Sequence, residues 1–318
     1  MNEVTKGRLA FWFRLVCIVS TVVALWWMLR ELDFAKLGDT FERADVWLLA
    51  LAVALNLAAQ LVRAVSWTAM LGPRHPVGFG PLLRYELAAQ AASSISPARA
   101  GELLRLWMLK REDVPATVTT ALIVLKKAIG ALCIAVIALS ALFLPGLPGW
   151  VPAFVVGITA LMAVQLVLLV WAAYRAKPEK VPKFLRGVVD GMYFLRDRRS
   201  FSLSTFVIFL GEALDALAAF VVMHALHIEL SLLAAALVVF FIDFSNALPA
   251  APGHLGTFEV GALYSLGFLG VGQDAAFAFA LVFHAQQALP QIVVGLPFQL
   301  HFLSTKKKQA QVIGQESS

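Results

Sequence analysis

Charge is scarce in this chain: Asp, Glu, Lys and Arg make up 14% of its 318 residues, against roughly 25% in a soluble domain. So few charges cannot build a water-facing surface over a chain in which 60% of the residues are hydrophobic and the mean hydropathy is +0.80. The missing solvent is lipid. Cysteine is almost absent, and Cys17 and Cys133 both sit inside apolar runs, so no disulfide framework is indicated. There is no HExxH, no Cys/His cluster and no paired ligand spacing, so no metal is assigned. A Walker A sequence, a G-x-S-x-G elbow and an Asp-x-Asp pair are lacking too, which leaves no catalytic residue or cofactor to name and excludes ATP-driven transport within the chain. The net charge of +6 is scattered between apolar runs instead of forming one basic face, so it reads as membrane topology and not as a nucleic-acid site.

What the chain does have is length in its apolar runs. Residues 9–29, 46–71, 117–144, 151–174, 201–226 and 275–303 are each long enough to cross about 30 Å of hydrocarbon as a helix. The first follows Lys6 and Arg8 as a signal peptide would, but it lacks a small-x-small cleavage site and reads as an anchor. Trp26, Trp27, Trp47, Trp150 and Trp171, near span ends, read as interfacial belts. Two further regions, 82–110 and 230–269, are split by Pro/Gly breaks at 96–101 and 249–256 and read as broken helical hairpins.

Lys and Arg near span ends favour the cytoplasmic side. Segment 175–199 carries eight of them against three acids, and the tail adds Lys306, Lys307 and Lys308; segment 30–45 carries five acids against three bases, and 145–150 none. Both termini are therefore expected inside. Hairpin 82–110 then enters and leaves the cytoplasmic leaflet, and 230–269 the external one, unless 230–248 crosses completely and a short helix returns. The expected fold is an all-α, polytopic transmembrane bundle with two oppositely oriented re-entrant hairpins. It forms one membrane domain over 1–305, with repeat-like halves near 46–144 and 201–303 and a cytoplasmic tail at 306–318. The breaks share a spacing, Pro97-x-x-x-Gly101 then Glu102, and Pro252-x-x-x-Gly256 then Glu259. Interrupted segments at matching positions of two halves point to a transporter site.

Irregular backbone survives in a membrane only where protein or a watery cavity satisfies it. A helix restarting after such a break offers free N–H groups to an anion, and Gly101, Gly253 and Gly256 either admit a headgroup or simply permit the turn. Arg99 and Arg105 are the preferred phosphate ligands, although Arg105 could instead anchor an interfacial helix. Glu102, three residues earlier, could neutralise Arg105 while the site is empty. Lys126 and Lys127 fall near the middle of a span, where a charge costs from about 2.5 kcal/mol upward, and only one of two adjacent side chains can turn fully inward. Glu212 and Asp215, on one face of 201–226, are their expected partners, either as a structural ion network or as groups that take up protons or exchange the lysine for substrate. Asp243 and Asn246 before the second break and Glu259 after it could hold a cation or a proton; His254 and His284 either titrate near neutrality or pack by hydrogen bonds.

The stretches Ser96-Pro97-Ala98-Arg99-Ala100-Gly101-Glu102-Leu103-Leu104-Arg105 and Leu248-Pro249-Ala250-Ala251-Pro252-Gly253-His254-Leu255-Gly256-Thr257-Phe258-Glu259, with a weaker match over 284–295, resemble the membrane region of lysylphosphatidylglycerol synthases and their stand-alone flippase-like relatives. The resemblance implies a multi-pass protein of the bacterial inner membrane that moves a charged lipid between leaflets. Arg99, Gly101, Glu102, Arg105, Gly253, Gly256 and Glu259 occupy its motif positions. Where the family has Glu-Arg with an Asp three residues beyond, this chain has Lys126-Lys127 and Gly130, a more cationic site. Only a short segment follows the last span, so lysyl transfer is not expected. The expected function is translocation of an anionic or phosphate-bearing lipid. The alternatives are a glycosyl- or acyl-group transferase acting on a lipid carrier, with Glu102 or Glu259 as base, and a non-catalytic subunit of a lipid-biosynthesis complex. The expected partners are a lipid with an anionic headgroup, the bilayer itself and lipid-biosynthesis enzymes.

Overall fold

Long apolar runs free of interior breakers become helices, because a backbone surrounded by hydrocarbon must bond to itself. A computed structural model describes residues 38, 40, 42–95, 100–176, 182–248 and 252–316. Its helices are α1 (Val46–Leu71), α2 (Phe79–Ile95), α3 (Ala100–Lys110), α4 (Ala116–Ala138), α5 (Trp150–Arg175), α6 (Lys183–Gly191), α7 (Arg198–Ala225), α8 (Leu232–Asn246), α9 (Thr257–Phe268) and α10 (Gln273–Glu316). No strand occurs among the described residues. Among the described residues, five stretches are long and apolar enough to cross a membrane: α1, α4 with the 3₁₀ turn Leu139–Phe143 that extends it, α5, α7, and α10 as far as Phe302. They coincide with the five corresponding sequence-derived spans to within three residues at each end. The run 9–29, together with Pro97, Arg99 and 249–251, lies outside the described residues.

Short polar residues begin several of these helices. Asp45 Oδ1 accepts from the backbone N–H groups of Trp47 and Leu48 (2.8 and 3.2 Å) ahead of α1, and Ser231 Oγ accepts from Ala234 N–H (3.3 Å) at the start of α8. Asp197 does the same for α7, accepting from the hydroxyl and N–H of Ser200 (2.6 and 3.2 Å); these bonds hold its carboxyl below the ordinary aspartate value. The faces left over are apolar and outward. In the α5 span only 17% of the apolar window is buried, and Trp47, Trp150 and Trp171 are all exposed, as side chains meant for lipid should be.

The chain forms two compact units, and each draws on both sequence halves. The first comprises Met1–Asn56, Ala131–Met162 and Glu212–Gln286. Here α8 and α9 pack on each other as a hairpin. The core is aliphatic and phenylalanine-rich, with Leu237, Leu266, Phe279 and Phe283 fully enclosed and Phe154 stacked on Phe241 at 5.7 Å.

The second comprises Leu57–Gly130, Ala163–Gly211 and Gln287–Ser318, and its hairpin is α2 against α3. Ala88, Met108 and Phe302 form a small buried cluster beside it. The two hairpins close in the same way. A Cβ at Gly101 would overlap the Ala89 carbonyl oxygen and Ser93 Oγ of α2; one at Gly261 of α9 would lie 2.8 Å from both Ile242 Cα and Phe241 O of α8. Each glycine lets two backbones touch, the packing that small residues provide between helices in lipid.

Gly101→Ala and Gly261→Ala are each expected to lower stability by about 1–3 kcal/mol, the usual effect of overpacking a tight contact. Gly157→Ala on α5, where nothing lies within 4 Å of the new methyl, should leave it unchanged or improve it. Thermal unfolding in detergent reads all three.

Candidate functional site

In the second unit one carboxylate gathers the polar side chains. Glu86 projects from α2 with its side chain 2% exposed, a position that an acid keeps only when fully compensated. Its Oε2 accepts from Trp67 Nε1 of α1 (2.8 Å) and from Arg105 Nη2 of α3 (2.8 Å), and Lys126 Nζ of α4 lies 3.6 Å away. Gln90 Nε2, one turn along α2, donates to the other oxygen at 3.4 Å. Lys126 Nζ also donates to the Arg63 carbonyl (3.2 Å), and the Trp67 ring centroid lies 5.0 Å from both that ammonium and the Arg105 guanidinium carbon.

A second carboxylate continues the cluster. Glu102, in the first turn of α3, reaches Lys127 Nζ with Oε1 (2.6 Å) and Arg105 Nη1 with Oε2 (3.3 Å). Of the adjacent lysines, Lys126 turns inward and Lys127 stays half-exposed, at 15% and 47% for the side chains. The i,i+3 pairing of Glu102 with Arg105 follows the sequence expectation. The lysines' partners are a correction: they pair with Glu86 and Glu102, neither of which was the acid expected from depth along the helices. Glu212 and Asp215 belong to the first unit, on α7, where Asp215 is buried. Gly101 is also corrected in detail, since the α2 backbone fills the space beside it. Glu86 was missed altogether, though an acid within the apolar run 82–95 was itself a signal.

The first unit holds a different polar group at its break. Gly253 and Gly256 have φ of 68° and 88°, a conformation that suits glycine, so their backbone roles are those of a turn. Glu259 sits in the first turn of α9, where its Oε2 accepts from Gly256 N–H (2.7 Å), the half of a capping box that a glycine cap leaves possible. Its Oε1 lies 2.6 Å from His284 Nδ1 of α10, and His284 Nε2 lies 2.8 Å from the Gly253 carbonyl. Both partners are acceptors, so the ring donates to both only when doubly protonated. Phe258 stacks on that ring at 4.3 Å. Nearby, Thr257 Oγ1 donates to Asn246 Oδ1 (3.1 Å), which ties the two sides of the break; Asp243, on the preceding turn of α8, is exposed. Pro252 opens the 3₁₀ turn Pro252–His254.

The matching family model covers residues 11–295 and is described as the lysylphosphatidylglycerol synthase TM region. The chain belongs to that family. It is an integral, multi-pass membrane protein of lipid metabolism, and the polar clusters of this family member lie on helices otherwise built for hydrocarbon. No curated protein matches the chain as a relative. Among the described residues no group of three or more His, Cys, Asp or Glu side chains comes together to hold a metal.

Removing one partner of a buried ion pair costs about 3–5 kcal/mol because it strands the other charge. Glu86→Gln should destabilise the protein by that order, and adding Lys126→Met should restore part of the loss. Chemical or thermal denaturation of the single and double variants measures the coupling; strict additivity would contradict the pairing.

Proposed function

We propose that the protein is a lipid translocator of the bacterial inner membrane. It moves a lipid with an anionic, phosphate-bearing headgroup between leaflets, without covalent chemistry, and both its termini are cytoplasmic. One observation carries the reading. Arg105, Lys126 and Lys127 meet around two carboxylates on helices of a membrane family, so the cluster holds more positive than negative charge. Each charge at such depth costs about 2.5 kcal/mol or more, and a structural network alone needs only balance. A surplus cation in a membrane suits a phosphate, which guanidinium and ammonium groups recognise by short charge-assisted hydrogen bonds.

The acyl chains stay in the bilayer while the headgroup occupies the cluster. By the distribution of Lys and Arg, hairpin 82–110 dips from the cytoplasmic face and 230–269 from the external face. From the sequence alone, Pro97 and Arg99, which lie outside the described residues, are assigned to the same headgroup site, and the break at Pro252, Gly253 and Gly256 with Glu259 serves the second leaflet. Glu212, Asp215 and Asp243, in the first unit, serve as ion-pairing or coupling groups. Enzymes that make or consume the lipid are the natural partners.

The test uses liposomes with a fluorescent phosphatidylglycerol whose outer-leaflet label is quenched by dithionite. The wild-type protein should make the inner-leaflet label accessible, and Lys127→Ala, which removes the half-exposed cation and leaves Glu86 paired, should slow exchange about tenfold, the worth of one charge-assisted contact. Lys127→Arg should recover it. Exchange by Lys127→Ala at the wild-type rate would overturn the assignment.

A further inference from the structure

The two carboxylates of the cluster are not equivalent. Glu86 is enclosed and accepts from two neutral donors, Trp67 and Gln90, besides its cations. It is a fixed counter-charge. Glu102 is 23% exposed at the side chain, pairs with two cations, and holds Arg105 by a long 3.3 Å contact. Arg105 itself is only 8% exposed, commits Nη2 to Glu86, and buries an Nε that no acceptor among the described residues reaches. A guanidinium has five N–H donors in a planar fork; Nη2 goes to Glu86 and Nη1 to Glu102, so Nη1 is the donor that a competing anion takes over from Glu102.

Resting on the translocator reading, we infer that Glu102 is a built-in competitor for the headgroup: a phosphodiester displaces its carboxylate from Lys127 and Arg105, and the carboxylate returns when the lipid leaves. Arg105, Lys126 and Lys127 pair with two carboxylates, and the charge of Arg63 also acts on Glu86 and Lys126, so the empty cluster is net positive. A phosphodiester carries one negative charge, so exchanging it for the Glu102 carboxylate keeps that total unchanged. Neither state strands a buried cation, and binding remains weak enough for release, the balance that any conduction pathway needs. Without Glu102 the same cations would hold the phosphate more tightly. The prediction therefore has the opposite sign to that for an ordinary ligand residue, whose loss weakens binding.

The experiment measures binding of dihexanoyl phosphatidylglycerol to the full chain in phosphatidylcholine nanodiscs by calorimetry. Glu102→Gln should bind about tenfold tighter than wild type, the factor expected from removing one charged competitor. Glu102→Ala should shift the same way, which guards against a folding effect peculiar to one variant, and Glu86→Gln should not tighten binding. Unchanged or weaker binding by both Glu102 variants, while wild type still binds, overturns the exchange and leaves the translocator reading standing. A wild-type protein that binds no probe overturns both. Glycerophosphoglycerol, the same headgroup without acyl chains, separates the sources: equal affinity for it would assign the exchange to a soluble phosphodiester and overturn the lipid ligand alone.

Discussion

The Glu86 carboxylate is the interaction on which the second unit depends. It draws Trp67 from α1, Gln90 from its own helix, Arg105 from α3 and Lys126 from α4 onto two oxygen atoms. An acid enclosed in this way would be prohibitive without cations, and the cations would be prohibitive without the acid, so each fixes the place of the others. Because α3 is short, the Arg105 bond does more than neutralise charge. It pins the returning arm of the hairpin, and Gly101 lets that arm lie directly on the α2 backbone.

The hairpin of the first unit reaches a similar local form by other chemistry. Its second helix also packs through a glycine, Gly261, and also carries an acid in its first turn. Yet Glu259 turns toward its own backbone and a histidine, accepting from Gly256 and contacting His284, whereas Glu102 turns toward side-chain cations. One acid closes a turn and the other balances charge. The Pro-x-x-x-Gly spacing recurs in the sequence ahead of both acids, and the two acids are used differently.

Much of this was legible in the sequence, and the rest was hidden for identifiable reasons. The five spans among the described residues were readable because hydrocarbon thickness fixes their length, and the helix pairs because Pro and Gly interrupt otherwise apolar runs. Lys126 and Lys127 stood out by their cost in lipid, and the i,i+3 spacing gave the Glu102–Arg105 pair. Partner choice was not readable: depth along a helix says nothing about which helices are neighbours or which way each face turns, so Glu212 and Asp215 were favoured over Glu86 and Glu102. Gly101 was misread for a related reason. A glycine admitting a headgroup and one admitting another helix look alike until the neighbouring backbone is placed.

The central claim is that the cations around Glu86 and Glu102 are accessible to a lipid phosphate. A structure determined in nanodiscs rich in phosphatidylglycerol tests it most directly. The account predicts a headgroup phosphate on Lys127 and on Arg105 Nη1, with Glu102 turned aside and Glu86 unmoved. Acyl chains or neighbouring side chains sealing the cluster, with both carboxylates still bound to their cations and no phosphate among them, would contradict it.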